Sequence, residues 1–148
     1  MQNRFVVVTV AALCGVAGIA GCSSAPANSP QPPGSLPPAT AQVTVNGQSA
    51  GTTRAVACTQ DSWTHTITTG DAKSGVKVVV DTGDTINATS VVITNISDFT
   101  GTVLENKIGK AEASMIGTTF RVTGTAQGAT TQNPNQVATA NFEVKANC

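Results

Sequence analysis

From residue 43 onward, apolar residues recur with a period of two. The clearest run sets Phe120, Val122, Gly124 and Ala126 against Arg121, Thr123, Thr125 and Gln127. That alternation predicts a strand with one face on a core. A second run sets Ala138, Ala140, Phe142, Val144 and Ala146 against Thr139, Asn141, Glu143 and Lys145. Extending its parity points Cys148 inward. Val76, Val78 and Val80 alternate with Lys77, Val79 and Asp81. Trp63, His65 and Ile67 alternate with Thr64, Thr66 and Thr68, which puts Trp63 and His65 on the Ile67 face. Val43 and Val45 flank Thr44, and a run from Thr53 to Cys58 places Val56 and Cys58 together. Residues 91–96 carry β-branched side chains on both faces, the mark of a central strand. Ala111, Ala113 and Met115 open a further strand, and Phe99 to Leu104 reads as strand or loop.

Turn chemistry separates these runs. Asn46-Gly47 is a tight-turn pair, and Asp81-Thr82-Gly83-Asp84, Gly117 and Asn133-Pro134 mark others. No window beyond residue 42 shows an apolar period of 3.6. About eight short strands then predict an all-β fold: a single antiparallel β-sandwich-like domain over 43–148.

The first 42 residues follow different rules. Arg4 precedes an apolar run from Phe5 to Ile19, too short for a comfortable membrane span of about 20 residues. Ile19-Ala20-Gly21-Cys22 follows, one branched aliphatic residue and two small ones before a cysteine. This is the bacterial lipobox pattern, in which small residues let the backbone extend into the peptidase that cuts before a lipidated cysteine. Residues 1–21 are therefore expected to be a signal peptide, and Cys22 the lipid-bearing mature N-terminus. A retained anchor or an ordinary secretory site is the competing reading. A diacylglyceryl group plus an acyl chain on one residue exceeds what stable membrane anchoring requires. The expected location is the extracytoplasmic face of the cell envelope. Residues 22–42 hold six of the seven prolines and are expected to form a disordered, extended tether. At about 3.1 Å per residue it would reach roughly 60 Å. Ser23, Ser24, Ser29, Ser35 and Thr40 are candidate acceptors for O-linked sugar.

Composition narrows the partners. Eight basic residues balance eight acidic ones, and only 11% of residues are charged. Nucleic acid is an unsuitable partner, because phosphate binding needs a basic face. With one Trp, four Phe and no Tyr, the core must be Val, Ile and Ala. Small domains with thin cores often need a covalent staple. Of four cysteines, Cys14 lies in the signal peptide and Cys22 takes lipid, leaving Cys58 and Cys148. Export permits a disulfide between them, and the alternative is two free buried thiols. Closing a loop of that size would stabilise by roughly 4–5 kcal/mol in the chain-entropy model.

Candidate catalytic chemistry is sparse. Val79-Val80-Asp81-Thr82-Gly83 resembles the loop of aspartic proteases, in which two Asp side chains share a proton. Asp84 stands where that family has Ala or Ser, and an added carboxylate would upset the shared proton. A hairpin turn explains the same residues. His65 is the sole histidine, with no nucleophile or further ligands marked beside it. Asp81 and Asp84 lack the spacing of a known calcium loop. No cofactor, metal site or catalytic residue is expected. Asn87-Ala88-Thr89 and Asn95-Ile96-Ser97 fit the N-glycosylation pattern, which the bacterial lipobox makes irrelevant.

Several segments together resemble the mycobacterial LpqH-type lipoprotein antigens, including their LppE-like branch. They are Ala20-Gly21-Cys22-Ser23-Ser24, Val43-Thr44-Val45-Asn46-Gly47, Val56-Ala57-Cys58-Thr59, and Ile93 to Gly101. The most telling is Phe120-Arg121-Val122-Thr123-Gly124-Thr125-Ala126-Gln127-Gly128, with Asn133-Pro134, Phe142-Glu143-Val144 and Cys148 after it. The resemblance implies a surface-exposed, non-enzymatic envelope lipoprotein whose acylated N-terminus is sensed by the host receptor Toll-like receptor 2. It also implies pairing of Cys58 with Cys148. The tether departs from the threonine-rich, glycosylated one of the best-known member. Two other functions stand beside this one: a carrier of an apolar ligand such as an envelope glycolipid, and a dimeric aspartic protease using Asp81.

Overall fold

The computed structural model describes residues 30–148. The signal peptide, the lipobox residues Ile19, Ala20 and Gly21, and Cys22 lie outside them. Among the described residues the fold is all-β and antiparallel, with ten strands rather than about eight. They are β1 (Thr40–Val45), β2 (Gln48–Thr53), β3 (Val56–Asp61), β4 (Thr64–Gly70), β5 (Gly75–Asp81), β6 (Asn87–Ile96), β7 (Phe99–Leu104), β8 (Lys110–Ile116), β9 (Thr119–Thr130) and β10 (Asn133–Asn147). Their order in the sheet is β2-β1-β10-β9-β7-β6-β5-β4-β3. β8 pairs with β9 off that path. The sheet curls until its two edge strands, β2 and β3, are joined by only two residues.

Long β9 makes the curl possible. Its first half pairs with β8 (Lys110↔Thr125 to Ile116↔Thr119) and its end with β7 (Phe99↔Thr130 to Thr102↔Gln127). The partner switch needs close backbone approach. A Cβ on Gly124 would strike the Lys110 carbonyl, and one on Gly128 would strike Thr100 and Gly101. Glycine allows that approach.

The core lies between the folded halves of the sheet. Val78, Val80, Val91, Ile93, Ala41 and Ala126 have no exposed surface, and Phe99, Phe120 and Phe142 are buried with them. Most come from the predicted inward parities of β5, β9 and β10. β6 is central, between β5 and β7, as its composition predicts, although Val92 on its outer face is exposed.

The structure corrects four local expectations. Trp63 is not on the Ile67 face of a strand. It sits in the β3–β4 turn, where Ser62 takes a positive φ of 54°, and is 66% exposed. The run from Thr53 to Cys58 is broken at Arg54-Ala55, with β2 ending before it and β3 starting after it. Asn133-Pro134 belongs to β10, where the pairing is irregular between Asn133 and Ala138, and the turn falls at residues 131–132. Cys148 is exposed rather than inward. It lies past the last pair, Thr40↔Asn147, and the alternation has already lapsed because Ala146 and Asn147 are both buried.

The expected start of the folded part at Val43 falls inside β1, and order extends further back. Leu36 is buried. Its N–H donates to Thr119 Oγ1 at 2.8 Å, and its carbonyl accepts from Asn147 Nδ2 at 2.6 Å. A buried backbone pair must find such partners. The Pro32 ring lies over Gly117, and Gly34 lies against Ile116. The end of the proline-rich segment is therefore docked across the β8–β9 turn.

Candidate functional site

The Cys58–Cys148 bond is the most distinctive built feature. Cys58 sits on edge strand β3, and Cys148 follows β10, third in order from the opposite edge of the sheet. The sulfurs are bonded, with the Cα atoms 5.9 Å apart. The bond ties one edge of the sheet back to strands far from it in pairing order. Neither strand edge hydrogen-bonds across this seam: β2 pairs only with β1, and β3 only with β4. Both edge strands are exposed along almost their whole length, on both faces.

Near this strap the chain enters the domain. Met115 pairs with Phe120, and the Phe120 ring packs against His65 with centroids 5.1 Å apart. His65 is thus half-buried as a packing residue. Two residues earlier, Trp63 projects from its turn, and its carbonyl accepts from both the N–H and the hydroxyl of Thr82 at 2.8 and 3.0 Å. The β3–β4 and β5–β6 turns are tied together there.

Asp81 ends β5 within that pair of turns. Its Oδ1 accepts from the Gly83 N–H at 2.8 Å, closing an Asx turn. The Asp-Thr-Gly stretch thus does the work of turn chemistry. Among the described residues no three His, Cys, Asp or Glu side chains converge as a metal would need.

Two carboxylates are electrostatically perturbed. Asp71 is held below the ordinary carboxylate range by the backbone N–H groups of Ser74 and Lys73, which donate to Oδ1 at 2.9 and 2.7 Å. Glu143 is lowered by Arg121 first and Lys145 second, with nitrogen to oxygen distances of 3.3 and 3.0 Å. This cluster lies on the outer face of β9 and β10.

Surface grooves open among the described residues. One of about 510 Å³ lies between β6 and β8, where Glu105, Lys107, Lys110 and Glu112 give it a charged lining and Asn87 a polar one. Another, of about 260 Å³, lies between β1–β2 and the β4–β5 turn, among Val43, Thr53, Thr69 and Asp71. The apolar side chains between the folded halves of the sheet form one continuous cluster.

The anchoring of Leu36 by Thr119 and Asn147 was not foreseen from the sequence. Leu36 is the one large apolar residue in the proline-rich stretch, and that isolation was the available signal.

Residues 34–148 match the family described as Mycobacterium 19 kDa lipoprotein antigen. A lipoprotein of Mycobacterium indicus pranii is 37% identical, with each chain covered in full. The lipoprotein LppE of Mycobacterium tuberculosis is 32% identical, again over all of both chains. Lipoprotein LpqH of Mycobacterium avium is 30% identical over 72% of this chain and 67% of its own. The chain belongs to the Mycobacterium 19 kDa lipoprotein antigen family.

Proposed function

We propose that this chain is a non-enzymatic envelope lipoprotein, acylated on Cys22, that displays its β-domain on the extracytoplasmic face. The acylated N-terminus is the feature that host Toll-like receptor 2 reads. The observation that carries this reading is the order of parts. A lipobox ending at Cys22 leads into a proline-rich segment, whose end is docked by Leu36 onto a domain of the lipoprotein antigen family. The side chains that could have served chemistry are occupied structurally: Asp81 closes a turn and His65 packs on Phe120. The carrier reading needs an apolar opening between the layers. The continuous Val, Ile and Phe cluster there counts against it.

Replacing Cys22 with Ser tests the proposal. The wild-type protein is expected in the membrane fraction and active on Toll-like receptor 2 reporter cells. Cys22→Ser is expected in the medium and silent on those cells. Membrane retention of the variant, or undiminished receptor activation by it, would overturn the reading.

A further inference from the structure

We propose that the pole of the domain at which the chain enters is a membrane-docking surface, with Trp63 seated in the headgroup region of the bilayer. This rests on the proposed acylation of Cys22, and the test below separates the two. Three observations point to the same pole. First, the chain arrives there: Pro32 lies over Gly117 in the β8–β9 turn, and Leu36 is bonded to Thr119 and Asn147. Second, Pro32 stands only ten positions along the chain from Cys22. Even fully extended, at up to 3.6 Å each, they span no more than about 36 Å. The pole is therefore held close to the bilayer at high effective concentration, and not carried out on a tether of roughly 60 Å.

Third, exposed apolar side chains gather there. Trp63 is 66% exposed and stands two residues along the chain from His65, whose ring meets Phe120, and Met115, the register partner of Phe120, is 43% exposed. A tryptophan at a hairpin tip is suited to the interface, because its ring is apolar and its N–H is polar. Met115, across the register from Phe120, adds exposed apolar area at the same pole.

The charges around Trp63 define which membrane fits. Asp61 ends β3, Asp81 stands opposite Thr64, and Asp84 follows in the next turn. Neither turn, 61–64 or 82–86, contains a Lys or Arg. Docking is thus apolar, opposed by an anionic surface, and the opposition is screened by salt within a Debye length of about 8–10 Å.

Trp63 is the only tryptophan in the chain, so its fluorescence reports the site alone. The acylated protein would be reconstituted on phosphatidylcholine vesicles, and on vesicles with phosphatidylglycerol added. The reference is Cys22→Ser in solution. On phosphatidylcholine, Trp63 emission is expected to shift to the blue, lose acrylamide quenching several-fold, and gain quenching by lipids brominated near the headgroup. Phosphatidylglycerol at low salt is expected to weaken all three changes, and added salt to restore them. Protein that floats with the vesicles while Trp63 keeps its solution spectrum and acrylamide quenching would overturn the docking and leave the anchor standing. Protein that fails to float would overturn the anchor, and the docking with it.

Discussion

β9 with β10, and β2 with β3, are both neighbours in sequence, yet they are held in opposite ways. β9 and β10 pair over ten consecutive positions from Ala138 to Asn147, and each buries one face. β2 and β3 do not pair with each other, bury almost nothing, and form the two open edges of the sheet. The first pair is held by burial, the second by one neighbour each and a disulfide. Strength in this domain is therefore uneven, and local opening should begin at the seam.

The largest effect is expected in the buried half. Phe99→Ala removes the largest fully buried side chain and should cost about 3–5 kcal/mol, read from the denaturant midpoint at unchanged m. The double change Cys58→Ser with Cys148→Ser should cost about 2–5 kcal/mol. Hydrogen exchange should locate that loss in Val56–Asp61 while Ala138–Asn147 stays protected. Uniform loss of protection would erase the distinction between the two regions.

Glycines sharpen the contrast. Gly128→Ala puts a Cβ against the backbone of β7 and should cost about 1–3 kcal/mol. Gly51→Ala in β2 meets open space, so only its positive φ of 85° matters, at about 1 kcal/mol.

The smallest effect concerns the outer face. Glu143→Gln should cost about 0.5 kcal/mol at neutral pH, since the ion pair is half exposed. Glu143 has a depressed folded pKa. Its contribution is present above the unfolded carboxylate range and is lost as pH falls through the folded value. Wild type and Glu143→Gln should therefore converge in acid denaturation profiles.

The sequence made the buried half legible and left the seam obscure, for one physical reason. Alternation is visible only where a face is buried. β5, β9 and β10 bury one face, and Phe120 to Ala126 announces β9. β2, Gln-Ser-Ala-Gly-Thr-Thr, buries neither face and carries no period, so it has no strand signal of its own and only Thr53 joins the run that leads into β3. Trp63 misled because it extends the alternation of His65 and Ile67 backwards, whereas β4 begins only at Thr64, after the turn in which Ser62 takes its positive φ. At the candidate pole, the Cys58–Cys148 bond could be anticipated by counting cysteines. The docking of Leu36 could not, because its partners Thr119 and Asn147 lie 83 and 111 positions away.

Intact mass spectrometry of the mature protein, extracted from its own envelope, tests the central claim most directly. A polypeptide that begins at Cys22, carries a diacylglyceryl group with an added acyl chain, and retains the Cys58–Cys148 bond is the expected result. An unacylated chain that still includes residues before Cys22 would contradict it.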